Sequence, residues 1–160
     1  MASSYREIER KFLAQPPPET AGVEHKRIEQ GYLVIAGGSS EPVEVRLRRV
    51  NHRETLLTVK NRAGGSERVE VEIPIQPEQF DALWPATEGR RIVKHRYRFP
   101  LPDGLVAEYD DYQGNLAGLK VIEVEFKDAD QARHFVPPAW FGQEVTGDPK
   151  YSNAQLALRG

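Results

Sequence analysis

Cysteine is absent from the 160 residues, which excludes disulfides, thiolate metal sites and cysteine nucleophiles. That absence fits a reducing cytoplasm, the expected location. No apolar run is long enough to span a bilayer, and the polar start Met1 to Arg6 has no signal-peptide pattern, so no membrane association is expected. An excess of one charge is also missing. The 22 Lys and Arg stand against 24 Asp and Glu, and a net −2 makes no global case for nucleic acid or an anionic membrane. Any basic patch has to be local. His25, His52, His95 and His134 are scattered and suggest surface or packing roles.

What is present is a two-residue alternation of charge with apolar side chains. It opens with Glu7-Ile8-Glu9-Arg10-Lys11 and returns in Glu44-Val45-Arg46-Leu47-Arg48, Arg68-Val69-Glu70-Val71-Glu72-Ile73 and Ile122-Glu123-Val124-Glu125-Phe126. Thr58 to Arg62, Lys94 to Arg98 and Glu108 to Asp110 follow with small variations. Side chains alternate faces along a strand, so each stretch carries one charged face and one mostly apolar face. The signs are sorted by strand. Arg46, Arg48, Lys60, Arg62, Lys94, Arg96 and Arg98 stand against Glu7, Glu9, Glu108, Asp110, Glu123 and Glu125.

Along the chain, the expected strands are Tyr5 to Leu13, Gly31 to Ile35, Val43 to Val50, Glu54 to Lys60, Glu67 to Ile73, Ile92 to Phe99, Leu105 to Tyr112 and Lys120 to Phe126. Val23 to Gln30 has no clear preference. Pro16-Pro17-Pro18, Gly37-Gly38-Ser39-Ser40, Ala63-Gly64-Gly65-Ser66 and Pro102-Asp103-Gly104 punctuate them. Pro77 opens a helix whose apolar stripe is Phe80, Leu83 and Trp84, ended by Pro85. Asp128 with Gln131 and Ser152 with Gln155 resemble capping boxes for short helices to about Phe135 and over Ala154 to Leu158. With 39% hydrophobic residues, no internal repeat and no dividing linker, residues 1–160 are read as one domain.

Charged strand faces usually lie in water. Solvent faces, however, mix Thr, Ser and Gln with charges and have no need to sort the signs. About eight antiparallel strands close into a barrel whose interior admits side chains or a small ligand. The expected fold is therefore mainly β (α+β): a closed eight-stranded antiparallel barrel with a charged, wet interior and a few short helices packed outside. Enclosing such charges costs several kcal/mol each unless partners compensate, and a polyanion carrying cations would satisfy both patches. Arg forks and Lys point charges suit phosphate oxygens. Carboxylates without Cys suit Mg²⁺ or Mn²⁺ rather than zinc.

The ordered set Glu7-x-Glu9-x-Lys11, Gln30-Gly31-Tyr32-Leu33, Arg46-x-Arg48, Lys60, Glu70-x-Glu72, Lys94-x-Arg96, Glu108-x-Asp110, Glu123-x-Glu125 and Lys150-Tyr151-Ser152-Asn153 resembles the CYTH, or triphosphate tunnel metalloenzyme, superfamily. Leu83 to Gly89 and the short length are most similar to bacterial members that hydrolyse inorganic tripolyphosphate. The resemblance implies a tunnel that holds a linear triphosphate with divalent metal. It implies substrate contacts from Lys11, Arg46, Arg48, Lys60, Lys94, Arg96 and Lys150, with Pro149 standing where relatives often carry a basic residue. It implies a metal side made of Glu7, Glu9, Glu108, Asp110, Glu123 and Glu125, with Glu7, Glu9, Lys11, Lys94 and Glu123 central to turnover. The expected chemistry is in-line attack of water on a terminal phosphoanhydride, with one metal or two. The alternatives are an adenylate cyclase, a thiamine or nucleoside triphosphatase in the same tunnel, and a non-catalytic polyphosphate-binding module. Glu44, Glu70 and Glu72 are divided between a site role and structural ion pairs. A homodimer is the default assembly only because two-fold dimers are the commonest homo-oligomers.

Overall fold

A strand with one charged and one apolar face needs two different environments, and closing the sheet on itself supplies both. The computed structural model describes residues 5–14, 18–36, 43–64 and 67–160, with the side chains of 62–64 and 67 left out. Its strands are β1 (Arg6–Ala14), β2 (His25–Ala36), β3 (Val43–Val50), β4 (Glu54–Gly64), β5 (Glu67–Pro74), β6 (Arg91–Pro100), β7 (Val106–Tyr112), β8 (Lys120–Phe126) and β9 (Phe141–Glu144). They form one sheet in the order β5-β4-β3-β2-β6-β7-β8-β1-β9. β1 pairs with β5 at Arg6↔Val69, Glu7↔Arg68 and Ile8↔Glu67, which closes eight strands into the expected antiparallel barrel. β9 is the addition. It takes over the edge of β1 that β5 leaves, pairing at Phe12↔Glu144 and Ala14↔Phe141.

Most strand boundaries fall on their expected positions or within one residue of them, and β4 runs on from Lys60 to Gly64. β2 moves most, starting at His25 because it is paired on both sides, to β3 from Ile28 and to β6 from His25. The β3–β4 hairpin turns at Asn51 and His52, both at positive φ, and Asn51 Oδ1 accepts from the Arg27 N–H. Asn and His are among the side chains that tolerate this conformation best. The helices are α1 (Pro77–Leu83), α2 (Ala129–His134) and α3 (Asn153–Ala157). The expected caps form: Asp128 accepts from Gln131 N–H and Ser152 from Gln155 N–H. A 3₁₀ turn at Trp84–Thr87 continues α1 past Pro85. The turns expected at residues 16–17, 37–40 and 65–66 lie outside the described residues.

The main core lies outside the barrel wall. Ile8 and Phe12 of β1, Ala107 and Tyr109 of β7, and Ile122, Val124 and Phe126 of β8 pack beneath Ala132 of α2 and Phe141 of β9. Arg10 shares their parity and fastens the covering layer, donating to the carbonyls of Ala132 and Phe135 and forking onto Glu144. On the far side, Phe80 stacks on Trp84, and Gly31 lets this pair sit close to β2. The outer face of β2 to β5 beyond α1 is barer, with Val34, Val43, Val59, Val69 and Ile73 between 36% and 47% exposed.

A methyl group on Gly31 would lie 2.6 Å from Thr87 Oγ1 and 2.7 Å from Trp84 Cζ3. Gly31→Ala is therefore expected to lose about 1–3 kcal/mol through overpacking. At about 2–4 °C per kcal/mol for a chain of this size, thermal unfolding should show a drop of several degrees. An unchanged Tm would show that the Trp84–Thr87 turn is not seated on β2 as described.

Candidate active site

Because β-strand side chains alternate, one parity of all eight barrel strands points into the bore. Glu7, Glu9 and Lys11 of β1, Arg46 and Arg48 of β3, Lys60 of β4, Glu70 and Glu72 of β5, Lys94 and Arg96 of β6, Glu108 and Asp110 of β7, and Glu123 and Glu125 of β8 share that parity. The central cavity, about 210 Å³, is bounded by Glu7, Glu9, Glu123, Glu125 and Glu108 on one side and by Arg46, Arg48, Lys60 and Arg96 on the other, with Glu70, Glu72 and Asn153 completing it. No apolar side chain lines it. The sorting of signs visible in the sequence becomes spatial, since β7, β8 and β1 are consecutive around the barrel.

The ion pairs across this bore fall into two groups. Asp110 is fully buried and engages Lys94 Nζ at 2.7 Å and the Arg96 guanidinium at 2.7 and 2.8 Å. These are short, charge-assisted bonds. Burial alone would raise Asp110, but Arg96 and Lys94 outweigh it and hold the carboxyl below its usual range. Burial also pushes Lys94 down to about 8, against the pull of Asp110. The other pairs made by carboxylates of the central cavity are longer, among them Lys60–Glu7 at 3.4 Å, Arg46–Glu70 at 3.3 Å, Arg96–Glu108 at 3.5 Å, and Glu123 with Lys11 at 3.7 Å and with Arg96 at 3.9 Å. Groups held this loosely can exchange partners. Among the described residues Arg48 has no ion pair, and burial with Arg46 and Arg96 nearby lowers it to about 10.

The carboxylate wall is under strain of the opposite sign. Glu9 is pushed up to about 8, first by burial and then by Glu123, with Lys60 and Lys11 pulling the other way. Glu125 is raised by burial and by Glu7 and Glu108. Burial would raise Glu123 too, yet Lys11, Arg96, Lys94 and Lys60 hold it well below the usual range. Its Oε1 is buried without a hydrogen-bond partner. An unsatisfied buried carboxylate oxygen on an all-oxygen wall suits a hard divalent cation, so these residues fit Mg²⁺ or Mn²⁺ chemically. Among the described residues no three carboxylates stand ready as a preformed metal cluster. Their nearest positive partners are side chains instead.

One end of the bore is filled. Tyr32, Ile92, Tyr112 and Val121 pack against Ala154, Leu156 and Ala157 of α3. Tyr112 donates its hydroxyl to Asn153, and Lys11 Nζ donates to the Tyr151 carbonyl. The other end opens into a cavity of about 470 Å³ lined by Val23, Ile28, Val50 and Leu56 together with Arg48, Arg96, Arg98 and Glu108. Sequence reasoning could not locate such an apolar rim.

Of the expected site residues, most converge on the bore. Lys150 does not. It is exposed and lines neither cavity, its ammonium lying over the Tyr151 ring. Asp110 reaches the bore with its oxygens committed to Lys94 and Arg96. Glu44 pairs with Arg68 at 3.0 Å, while Glu70 and Glu72 line the central cavity. His95 faces outward beside His25 and Tyr97, as its parity implied. The residues missed are uncharged: Gln30, Thr58, Tyr112 and Asn153. For Gln30, Thr58 and Tyr112 the signal is parity with charged neighbours across the strand, as in Gln30↔Arg48, while Asn153 lies on α3 and has no such signal.

Comparison with known proteins is consistent along nearly the whole chain. A CYTH domain model matches residues 5–145. An inorganic triphosphatase of Nitrosomonas europaea is 47% identical over 95% of this chain and 97% of its own length. One of Acetivibrio thermocellus is 35% identical over 94% of this chain and 92% of its own. The crystal structure of the inorganic triphosphatase NE1496 superposes with a TM-score of 0.70, at 43% identity, covering 99% of this chain and 96% of that one.

The raised Glu9 carboxyl links pH to stability. Between its ordinary value near 4.5 and about 8 the unfolded chain has lost this proton and the folded chain keeps it. Stability of the EDTA-treated protein therefore falls as pH rises through that window. Glu9→Gln, which cannot ionise, is expected to flatten the dependence and melt above the wild type at pH 8. Melting curves from pH 5 to pH 8 check it, and a variant that melts lower at pH 8 would refute the neutral folded-state carboxyl.

Proposed function

The chain belongs to the CYTH domain family, and on that premise we propose that it is an inorganic triphosphatase, hydrolysing a terminal phosphoanhydride of tripolyphosphate. The observation that carries this reading is the central cavity itself. A lumen without apolar lining, with cations on one wall and carboxylates on the other, matches a short polyanion that travels with its metal.

In this reading Arg48, Arg46, Lys60 and Lys11 take the phosphate oxygens. Arg48 has no ion pair to give up among the described residues, and the ion pairs of the other three are 3.3 Å or longer, Lys11 also donating to the Tyr151 carbonyl at 3.0 Å. Lys94 and Arg96 are positioned by Asp110 before substrate arrives, so little reorganisation remains for the reaction. Glu7, Glu9, Glu123 and Glu125 would hold Mg²⁺ or Mn²⁺. Bound there, the cation would neutralise phosphate charge and make water a better nucleophile. The attacking water forms a bond to the terminal phosphorus, a carboxylate of the acidic wall takes its proton, and the bridging P–O bond breaks. The leaving pyrophosphate keeps the electron pair next to the guanidinium groups of β3. Phosphoryl transfer asks mainly for such positioning and neutralisation.

A second reading has the open mouth in its favour. Val23, Ile28, Val50 and Leu56 could cover an organic group on a longer triphosphate ester such as a nucleotide or thiamine triphosphate. A non-catalytic polyphosphate binder would have no use for the acidic wall.

Phosphate release from tripolyphosphate, ATP, thiamine triphosphate and pyrophosphate, with Mg²⁺, Mn²⁺ or EDTA, separates these readings. The expected result is metal-dependent release that is fastest with tripolyphosphate and lost in EDTA. Arg48→Ala should raise KM about tenfold or more, since a hydrogen bond to a charged group contributes about 1.5–3 kcal/mol. Glu123→Gln should act mainly on kcat. Full activity in both variants would place the chemistry elsewhere.

A further inference from the structure

Gln30 is fully buried, faces the bore and stands directly across from Arg48 in the β2–β3 ladder. Its Oε1 accepts from Arg48 Nε at 3.0 Å, and its Nε2 donates to the Tyr32 hydroxyl at 2.9 Å. The orientation of the amide is forced. Arginine has donors only, so the oxygen must face Arg48 and the NH₂ must face the tyrosine. The other strongly held cations of the bore, Lys94 and Arg96, are fixed by a carboxylate. Arg48 is fixed by a neutral group.

We propose that Gln30 is a positioning residue that aims the Arg48 guanidinium while leaving its charge whole for the phosphate chain. A carboxylate at this place would hold the guanidinium at least as firmly, but it would form an ion pair that the substrate then has to displace. A carbonyl oxygen fixes the Nε edge and supplies no countercharge, so the remaining donors meet phosphate at full strength. The same amide ties Arg48 to the buried Tyr32, and through it to the end of the bore filled by α3. Orientation and charge are thus set by different groups on this wall. The assignment rests on the reading that Arg48 binds the phosphate chain.

Gln30→Glu is nearly isosteric and tests the charge. Gln30→Met keeps the volume and removes the hydrogen bonds. Steady-state kinetics with tripolyphosphate and Mg²⁺, calorimetric binding of tripolyphosphate in EDTA, and melting of the ligand-free protein are measured for both, for Arg48→Ala, and for Gln30→Glu combined with Arg48→Ala. The expected result for Gln30→Glu is a rise of about tenfold or more in KM and in the EDTA dissociation constant, a smaller change in kcat and no loss of Tm. Gln30→Met should raise KM less and melt lower. On the Arg48→Ala background Gln30→Glu should add little. An unchanged KM in Gln30→Glu, or equal KM and Tm losses in the Glu and Met variants, overturns the proposal and leaves Gln30 as packing. If Arg48→Ala itself leaves KM unchanged, the failure lies with the phosphate assignment of Arg48.

Discussion

The Lys94–Asp110–Arg96 group is the constraint on which the rest of the tunnel depends. Three charges meet with Lys94 and Asp110 at 0% side-chain exposure and Arg96 at 12%. Removing such ions from water costs several kcal/mol each, and only good geometry offsets it. Here one carboxylate serves two cations through three short bonds, so this part of the bore is held in place without a ligand while keeping a net positive charge. Further positive charge stands on β3 and β4, and the surplus negative charge on β1 and β8.

Those two surpluses are left unresolved by the fold. Glu9 keeps its proton up to about 8, Glu123 has a buried oxygen without a hydrogen-bond partner, and Arg48 is lowered by burial and by its cationic neighbours. A barrel designed only for stability would place valines and isoleucines here. The protein puts those on the outer wall instead, under α2 and β9, and closes the barrel around groups that a ligand would complete. The larger apolar cluster lies on the outside of the sheet, a second one plugs one end of the bore, and the charged groups occupy the rest of the inside. Arg10 shows the division within one strand, since its neighbours Glu9 and Lys11 face the bore while it fastens the outer layer.

Most of the fold was legible because alternation is a local property. Glu44 to Arg48, Arg68 to Ile73 and Ile122 to Phe126 carry it without interruption, and their strands appear within a residue of where expected. β9 was not legible: Phe-Gly-Gln-Glu is four residues long with no alternation, and it exists because β1 has an unpaired edge beyond Ile8. The first half of β2 was missed for a related reason. Its His-Lys-Arg start has no apolar partner in sequence, and pairing to β6 is what holds it extended. Among site residues the charged ones stood out by sign and parity, whereas Gln30 and Asn153 stood only inside motifs of the resemblance, with no charge to mark them as site residues.

The sequence alone determined which side chains share a face, because strand parity follows from backbone geometry and needs no partner. It also determined the all-oxygen chemistry of the acidic wall, because the inward parity of those strands carries Glu and Asp, with no cysteine in the chain and no histidine on that face. Only the tertiary structure decided which charges neutralise one another. Asp110 takes Lys94 and Arg96, Lys150 stays outside, and Arg48 falls to a neutral amide, since ion pairing depends on distances across the closed barrel that no run of neighbouring residues encodes.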